Sequence, residues 1–242
     1  MKTSAASLLQ AWEVGAAVAP LDRAPSLLQT LDALPASMAV DELTVGQCDA
    51  RLFELRRTVF GEMLDAVATC PACQTEVELN LALGELQPAA SEGHPAPMTV
   101  HADGYLLRCR IPRNTDLRAL DLLDGEATFR DLLDRCVLEA HSPSGDAVAT
   151  RRLPDATVEA VVTALADSDP GAQTALRVCC PCGNEWLDEL DIRGLLWNDL
   201  TEWVGRILAE VHHLAQAYGW SETEILAMSG WRRRWYLEAL GW

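Results

Sequence analysis

The chain has 242 residues, 49% of them apolar and 23% charged, and its 36 Asp and Glu against 19 Lys and Arg give a formal net charge of −17. That composition supports a sizeable core and excludes a disordered chain. The acidic balance argues against a nucleic-acid partner, because a phosphate-binding surface needs clustered cations and the one dense cluster is Arg232-Arg233-Arg234.

Residues 4–17 place Leu8, Leu9, Trp12 and Ala16 at helical spacing, and Pro20 and Pro25 are expected to break that run. Met1-Lys2-Thr3 and the apolar residues behind it imitate a secretory signal, but Glu13 interrupts the run, so no leader is expected. No segment approaches 18 uninterrupted apolar residues, so no membrane span is expected either. A short helix over residues 26–34 has Ser26 as its cap. Residues 41–60 hold a better one: Gly46 interrupts its start, and Asp49 can cap a run with Leu52, Leu55 and Val59 on one face and Arg51, Arg56 and Arg57 off it. Gly61 then leads into another short helical turn.

The first chemical signal is the hook Cys70-Pro71-Ala72-Cys73; a second, Cys179-Cys180-Pro181-Cys182, follows after residues 74–178. A turn with two residues between its cysteines presents both thiolates to one tetrahedral ion, and two such turns complete a four-sulfur shell. The usual spacing between hooks is roughly 15–20 residues, so this pair is wide. The flanks restore the pattern, because Val67-Ala68-Thr69, Thr75-Glu76-Val77-Glu78-Leu79, Leu176-Arg177-Val178 and Glu185-Trp186-Leu187 alternate at period two, as hairpin arms do. The expected site is one structural zinc on Cys70, Cys73, Cys179 and Cys182. The alternatives are two reduced thiol pairs, or a disulfide within each hook. Cys48, Cys109 and Cys136 stand apart in apolar or helical contexts, where a small buried hydrophobe is the expected role. Cysteines outside the hooks suggest a reducing compartment, so the protein is expected to be cytoplasmic.

Between the hooks, residues 87–97 read as a surface loop, and residues 99–111 as a hairpin turning at Ala102-Asp103-Gly104. Residues 116–140 are expected to be helical pieces, with Leu117, Leu120 and Leu123, a break at Gly125, then Phe129, Leu132, Leu133, Cys136 and Val137. Residues 142–152 form a polar loop, and Val158, Val161, Val162 and Leu165 mark a helix between Pro154-Asp155 and Asp169-Pro170. A strand over 173–178 delivers the second hook.

The C-terminal part carries the strongest periodicity: Leu196, Leu200, Trp203, Ile207, Val211, Leu214 and Tyr218 recur every three or four residues, and Gly219 ends the run. Ser221-Glu222-Thr223-Glu224 is a capping box for a helix with Ile225 and Leu226, and Ser229 starts a last helix. The fold class expected is α+β, mainly helical with a small antiparallel zinc-ribbon-like portion built from the two distant hairpins. Its parts are an N-terminal helical region (1–62), the ribbon region with inserted helices (63–188) and a C-terminal helical region (189–242).

No catalytic constellation accompanies these elements. His212 and His213 are adjacent on one helix and cannot aim at one ion, while His94 and His101 have no evident carboxylate or cysteine partner. Nucleophile elbow and phosphate-cradling glycine loop are both missing from the sequence, and a hook between strands lacks the helix N-terminus that activates a redox thiol. No enzyme activity and no small-molecule substrate are expected. Arg232, Arg233 and Arg234 oppose the dipole at the start of the last helix. They are offset either by the chain's own carboxylates or by an acidic partner on a surface of Trp231, Arg232, Arg233, Arg234, Trp235 and Tyr236, residue types enriched at binding hot spots.

Residues 52–56 with Phe60-Gly61 ahead of the first hook, 179–183 with Trp186, and the run from Glu210-Val211-His212 through Tyr218-Gly219-Trp220-Ser221-Glu222, Ile225-Leu226 and Arg232-Arg233 to Tyr236-Leu237 form an ordered set of features. In that order the chain resembles the baseplate-protein family of T-even phages, whose relatives occur in phage tail-like contractile injection systems. Cys180 and Cys48 depart from that pattern, and Cys180 could replace Cys179 as a ligand. The resemblance implies a non-enzymatic baseplate component or assembly factor whose partners are other baseplate or tail proteins. A free-standing zinc-ribbon regulator or adaptor, binding nucleic acid or another cytosolic protein, is the alternative.

Overall fold

Helices begin where a polar side chain or a proline deals with the first free amides. The computed structural model describes residues 1–34, 38–86, 95–121 and 129–242. Ser4 accepts from the Ser7 amide and opens α1 (Ala5–Ala16). Pro20 occupies the first position of α2 (Pro20–Thr30), where a missing N–H leaves nothing unsatisfied, and Pro25 lies buried inside the same helix with Ala24, Leu27 and Leu28. The prolines therefore start and join a helix instead of breaking one, and Ser26 is interior to it. In α3 (Val45–Phe60) Thr44 takes the Gln47 amide and the Gln47 side chain takes the Thr44 amide. That capping box starts the helix ahead of Asp49 and includes Gly46. Arg56 lies on its buried face, bonded to the carbonyls of Gly61 and Met63.

After Gly61 the chain enters β1 (Met63–Thr69), where a helical turn was expected, because Leu64 and Ala68 point inward at alternate positions. β1 pairs antiparallel with β2 (Glu76–Ala82), and the single turn α4 (Leu83–Leu86) follows. The expected hairpin is β3 (Met98–Ala102) and β4 (Tyr105–Cys109), joined by Asp103 and Gly104 at φ 51° and 81°, the conformation that a two-residue hairpin turn requires. α5 (Asn114–Asp121) and α6 (Phe129–Cys136) are two of the expected helical pieces; residues 122–128, with the expected Gly125 break, and most of the loop expected at 87–97 lie outside the described residues. Past Cys136 the chain leaves the helix and forms β5 (Val137–His141), because β4 offers it a free edge and the Arg110 amide donates to the Cys136 carbonyl.

α7 (Asp155–Ser168), β6 (Ala175–Cys179) and β7 (Glu185–Glu189) complete the middle of the chain, and α8 (Ile192–Tyr218), α9 (Glu222–Ala227) and α10 (Gly230–Ala239) its end. The Ser221–Glu224 capping box and the Ser229 cap are both formed. On α8 the buried stripe runs through Ile192, Leu196, Leu200, Val204, Ile207, Val211 and Leu214. Val204 takes the place expected for Trp203, and Tyr218 is exposed. The class is mixed α and β, with three small antiparallel sheets among the described residues.

Two compact units result. The first contains Met1–Pro35 and Ile192–Trp242 and is all helical. In it Trp12 lies parallel to Trp197 with ring centres 6.4 Å apart and donates Nε1–H to the Thr201 hydroxyl, while Arg23 stands 4.7 Å over the Trp197 ring. Arg233 is buried against α8, its Nε 2.8 Å from Glu210 and another nitrogen donating to the Met228 carbonyl. The second unit, Ala36–Asp191, is centred on Val100, Leu107, Cys109, Leu133, Leu153, Val158, Val161 and Leu165. Burial pushes the thiols of Cys109 and Cys136 up to about 11 and about 12, so they serve as small hydrophobes.

Two buried carboxylates lock this second unit. Asp169 accepts from the Thr44 hydroxyl at 3.0 Å and the Gly46 amide at 2.9 Å, drawing the start of α3 onto the turn Pro170–Ala172. A side chain at Gly46 would meet Asp169 Oδ1 and stand 2.6 Å from the Ala172 nitrogen, so Gly46→Ala should destabilise the unit by about 1–3 kcal/mol in urea unfolding. Asp116 accepts from both guanidinium nitrogens of Arg110 at 2.6 and 2.8 Å, from Arg135 at 3.3 Å and from the Arg113 amide at 2.9 Å. Burial raises its pKa, but these donors outweigh it and hold the carboxyl below the ordinary 3.8. A depressed folded pKa contributes stability that is present above the unfolded pKa and lost as the pH falls through the folded one. Asp116→Asn should therefore cost about 3 kcal/mol near neutral pH, since it strands two arginines. Its deficit against the parent should shrink once the pH falls below about 4.

Candidate metal centre

Each hook is the tip of a two-stranded hairpin. The β1–β2 ladder ends at Thr69 opposite Glu76, and the β6–β7 ladder at Cys179 opposite Glu185. In the first tip the Cys70 amide donates to the Thr75 carbonyl and the Gln74 amide to the Cys70 carbonyl, both at 2.9 Å; in the second, the Cys180 amide donates to Asn184 and the Gly183 amide to Cys180, also at 2.9 Å. The residue after the last cysteine is left-handed in both tips, Gln74 at φ 61° and Gly183 at φ 89°. That conformation folds each tip back so that its sulfurs face one side.

The sulfurs of Cys70, Cys73, Cys180 and Cys182 all lie within 4.8 Å of one another. Contacts run between the hairpins: Cys70 to Cys182 at 3.8 Å and Cys73 to Cys180 at 3.6 Å. A tetrahedron with zinc–sulfur bonds of about 2.3 Å has edges of about 3.8 Å, whereas a disulfide needs about 2.05 Å. The spacing fits four thiolates around one ion and does not fit a disulfide. No other group of three or more His, Cys, Asp or Glu side chains within ligating distance occurs among the described residues.

Three of the four expected ligands are thus brought together, and Cys179 is not. The reason is strand alternation. Cys179 is the last residue of β6, and Val178, Cys179 and Cys180 run buried, exposed, buried, so Cys179 projects from the face opposite the cluster while Cys180 turns into it. The second knuckle therefore has one residue between its cysteines.

Four thiols in contact cannot all ionise without a cation to hold them, and their acidities diverge accordingly. The Thr75 hydroxyl, 3.3 Å from Cys73 Sγ, together with the Thr75 amide and the neighbouring sulfurs of Cys182 and Cys180, lowers Cys73 to about 6. For Cys70, burial raises the pKa, but the amides of Cys73 and Ala72 outweigh it and the net shift is downward. Cys180 is pulled down by the Cys182 amide, yet burial and the sulfurs of Cys182, Cys73 and Cys70 push it up to about 12. A divalent soft cation removes that conflict by neutralising the thiolates together. Asn184 Nδ2, 3.7 Å from Cys70 Sγ, supplies an outer amide to one sulfur.

The remaining candidates sit elsewhere. His212 is exposed, and His213 packs on Trp242 with ring centres 4.0 Å apart. His101 is exposed on β3, and His94 lies outside the described residues. On α10, Trp231, Arg232, Arg234 and Trp235 are exposed, and Tyr236 is half-buried among Tyr218, Trp220 and Trp235; Arg233 points inward to Glu210. The three arginines thus divide between inside and outside.

A family model described as T4 bacteriophage base plate protein matches residues 23–196. The matched span includes both hooks and stops before the C-terminal run that carries part of the resemblance. No curated protein and no solved structure matches the chain.

The geometry separates the two adjacent cysteines by experiment. Cys180→Ser should lose bound metal in elemental analysis and unfold at lower temperature, whereas Cys179→Ser should keep both metal content and melting temperature. The opposite result would place the fourth sulfur at Cys179.

Proposed function

The chain belongs to the T4 bacteriophage base plate protein family, and we propose that it is a non-enzymatic component or assembly factor of a contractile tail baseplate, in a phage or a phage tail-like contractile injection system, stapled by one structural zinc. The observation that carries the baseplate role is the family match over residues 23–196. Its partners are other baseplate or tail proteins. Nucleic acid is disfavoured by the net charge of −17, and no helix among the described residues is long and apolar enough to cross a membrane. The protein is made in the cytoplasm and acts there or within the assembled particle.

Zinc is favoured over other ions by an all-sulfur donor set with tetrahedral spacing. Cys70 and Cys73 hold it from one hairpin, Cys180 and Cys182 from the other. When bound, the ion supplies no reaction chemistry: four protein ligands leave it no open position, and closed-shell thiolates offer no free nucleophile for disulfide exchange. What it supplies is closure of the long loop of residues 74–179, because two short hairpins that are marginal by themselves become one cross-linked element. Binding of this kind contributes on the order of 10 kcal/mol of folding free energy in zinc-finger sites.

Protein produced with adequate zinc should contain one equivalent, and chelation should unfold it; less than about half an equivalent would remove the staple from the proposal. An insulin-reduction assay should show no turnover, and turnover abolished by Cys70→Ser would replace the structural role with a redox one. For the baseplate role, deleting the chain should abolish contractile particles. A mass-spectrometric inventory of purified particles then separates component from assembly factor, the first present and the second absent.

A further inference from the structure

The C-terminal end of the helical unit carries large aromatic side chains that are more than half exposed. Trp231, Trp235 and Trp242 are 77%, 54% and 60% exposed. Trp231 and Trp235 are one helical turn apart on α10 and share an outward face, with Arg234 three residues on from Trp231. Leaving such indoles in water forgoes most of the stabilisation that an aromatic side chain gains on burial. Beside them α10 and α8 form an open groove of about 720 Å³, lined by Gly205, Ala209, Arg234, Leu237, Glu238 and Trp242. Its floor is empty at Gly205, where an added Cβ would have no atom within 4 Å.

Charge decides what fits there. Arg233 is committed to Glu210 and Glu202 to Arg206. Neither Arg232 nor Arg234 has a carboxylate within ion-pair distance among the described residues, on a chain where acids outnumber bases by 36 to 19. Arg232 lies 5.8 Å over the Tyr236 ring and donates its backbone amide to the Ser229 cap, so it stands in the first turn of α10, where the helix dipole disfavours a cation. A carboxylate brought to this face meets two unpaired guanidinium groups and a positive helix end together. We propose that the outward face of α10 and its groove with α8 dock an acidic segment with apolar side chains on a neighbouring baseplate protein: the carboxylates meet Arg232 and Arg234, and the apolar side chains cover Trp231, Trp235 and the groove. This inference rests on the baseplate reading.

The test compares five alleles in cells that make the particles: a deletion of the chain, Arg232→Glu with Arg234→Glu, the same pair changed to Lys, Trp231→Ser with Trp235→Ser, and Gly205→Leu. The last fills the groove while improving the propensity of an exposed helical position, so it should fold at least as well as the parent. The Glu pair and Gly205→Leu should each lower particle yield and the recovery of identified baseplate proteins with the chain by at least about tenfold, with zinc content and melting temperature unchanged. The Lys pair should retain most of the yield. A deletion without effect would remove the baseplate reading itself. A deletion that abolishes particles, with the Glu pair and Gly205→Leu assembling normally, would overturn the docking surface alone. If the Glu pair assembles normally while Trp231→Ser with Trp235→Ser fails, the partner is not acidic and the proposal falls. Self-association of the purified chain that the same variants abolish would name a second copy as the occupant and overturn it too.

Discussion

Four sulfurs within 4.8 Å of one another, contributed by hairpins far apart in the chain, are the constraint on which the second unit depends. Without a cation, ionising one thiol raises the cost of ionising the next: burial and the sulfurs of Cys182, Cys73 and Cys70 outweigh the Cys182 amide and drive Cys180 up to about 12, while the Thr75 hydroxyl and amide bring Cys73 to about 6. Such a cluster is a poor arrangement for bare thiols and a favourable one for thiolates sharing an ion. Each hairpin on which the sulfurs sit has only two strands, with Val67 and Leu187 left 60% and 70% exposed. An isolated ribbon of that kind buries too little to hold itself.

Around the hairpins, the second unit relies on polar groups placed where apolar packing alone would not select one arrangement. Asp169 has two donors and, among the described residues, no cation beside it, and burial raises its pKa against the Gly46 amide and the Thr44 hydroxyl that lower it. Its worth is positional: it ties the capped start of α3 to the turn after α7, and Gly46 and Gly171 let the backbones meet there. Asp116 gathers Arg110, Arg113 and Arg135 at the end of β4 and the start of α5. In the helical unit the same task falls to aromatic stacking and a buried ion pair, Trp12 against Trp197 and Arg233 with Glu210. Both units thus use buried polar contacts for geometry and apolar stripes for free energy.

Much of this was legible from local pattern. The hairpin at Asp103-Gly104, the helix between Pro154 and Asp169, the long C-terminal helix and its capping box all follow from turn chemistry and periodicity that the residues carry themselves. Two of the departures share one physical origin. Residues 137–141 have helical neighbours but find the free edge of β4, and Arg56, expected off the apolar face of α3, is buried because carbonyls of the next turn accept its protons. Tertiary partners overrode local preference in both cases.

The cysteine site divides along the same line. Two hooks with strand-like flanks were enough to announce a four-sulfur shell, because spacing and alternation are properties of the sequence. Alternation also held the clue to the fourth ligand, since an inward Val178 sends Cys179 out and Cys180 in. That clue becomes decisive only when the inward face of β6 is known, and a strand's face is set by what packs on it. So too for the arginines of α10: the sequence by itself determined a cluster of three at a helix start, with aromatic neighbours. Only the tertiary structure turned Arg233 inward to Glu210 and left Arg232 and Arg234 outside, because the helix rotation that buries Leu237 against α8 chooses which arginine is shielded from water.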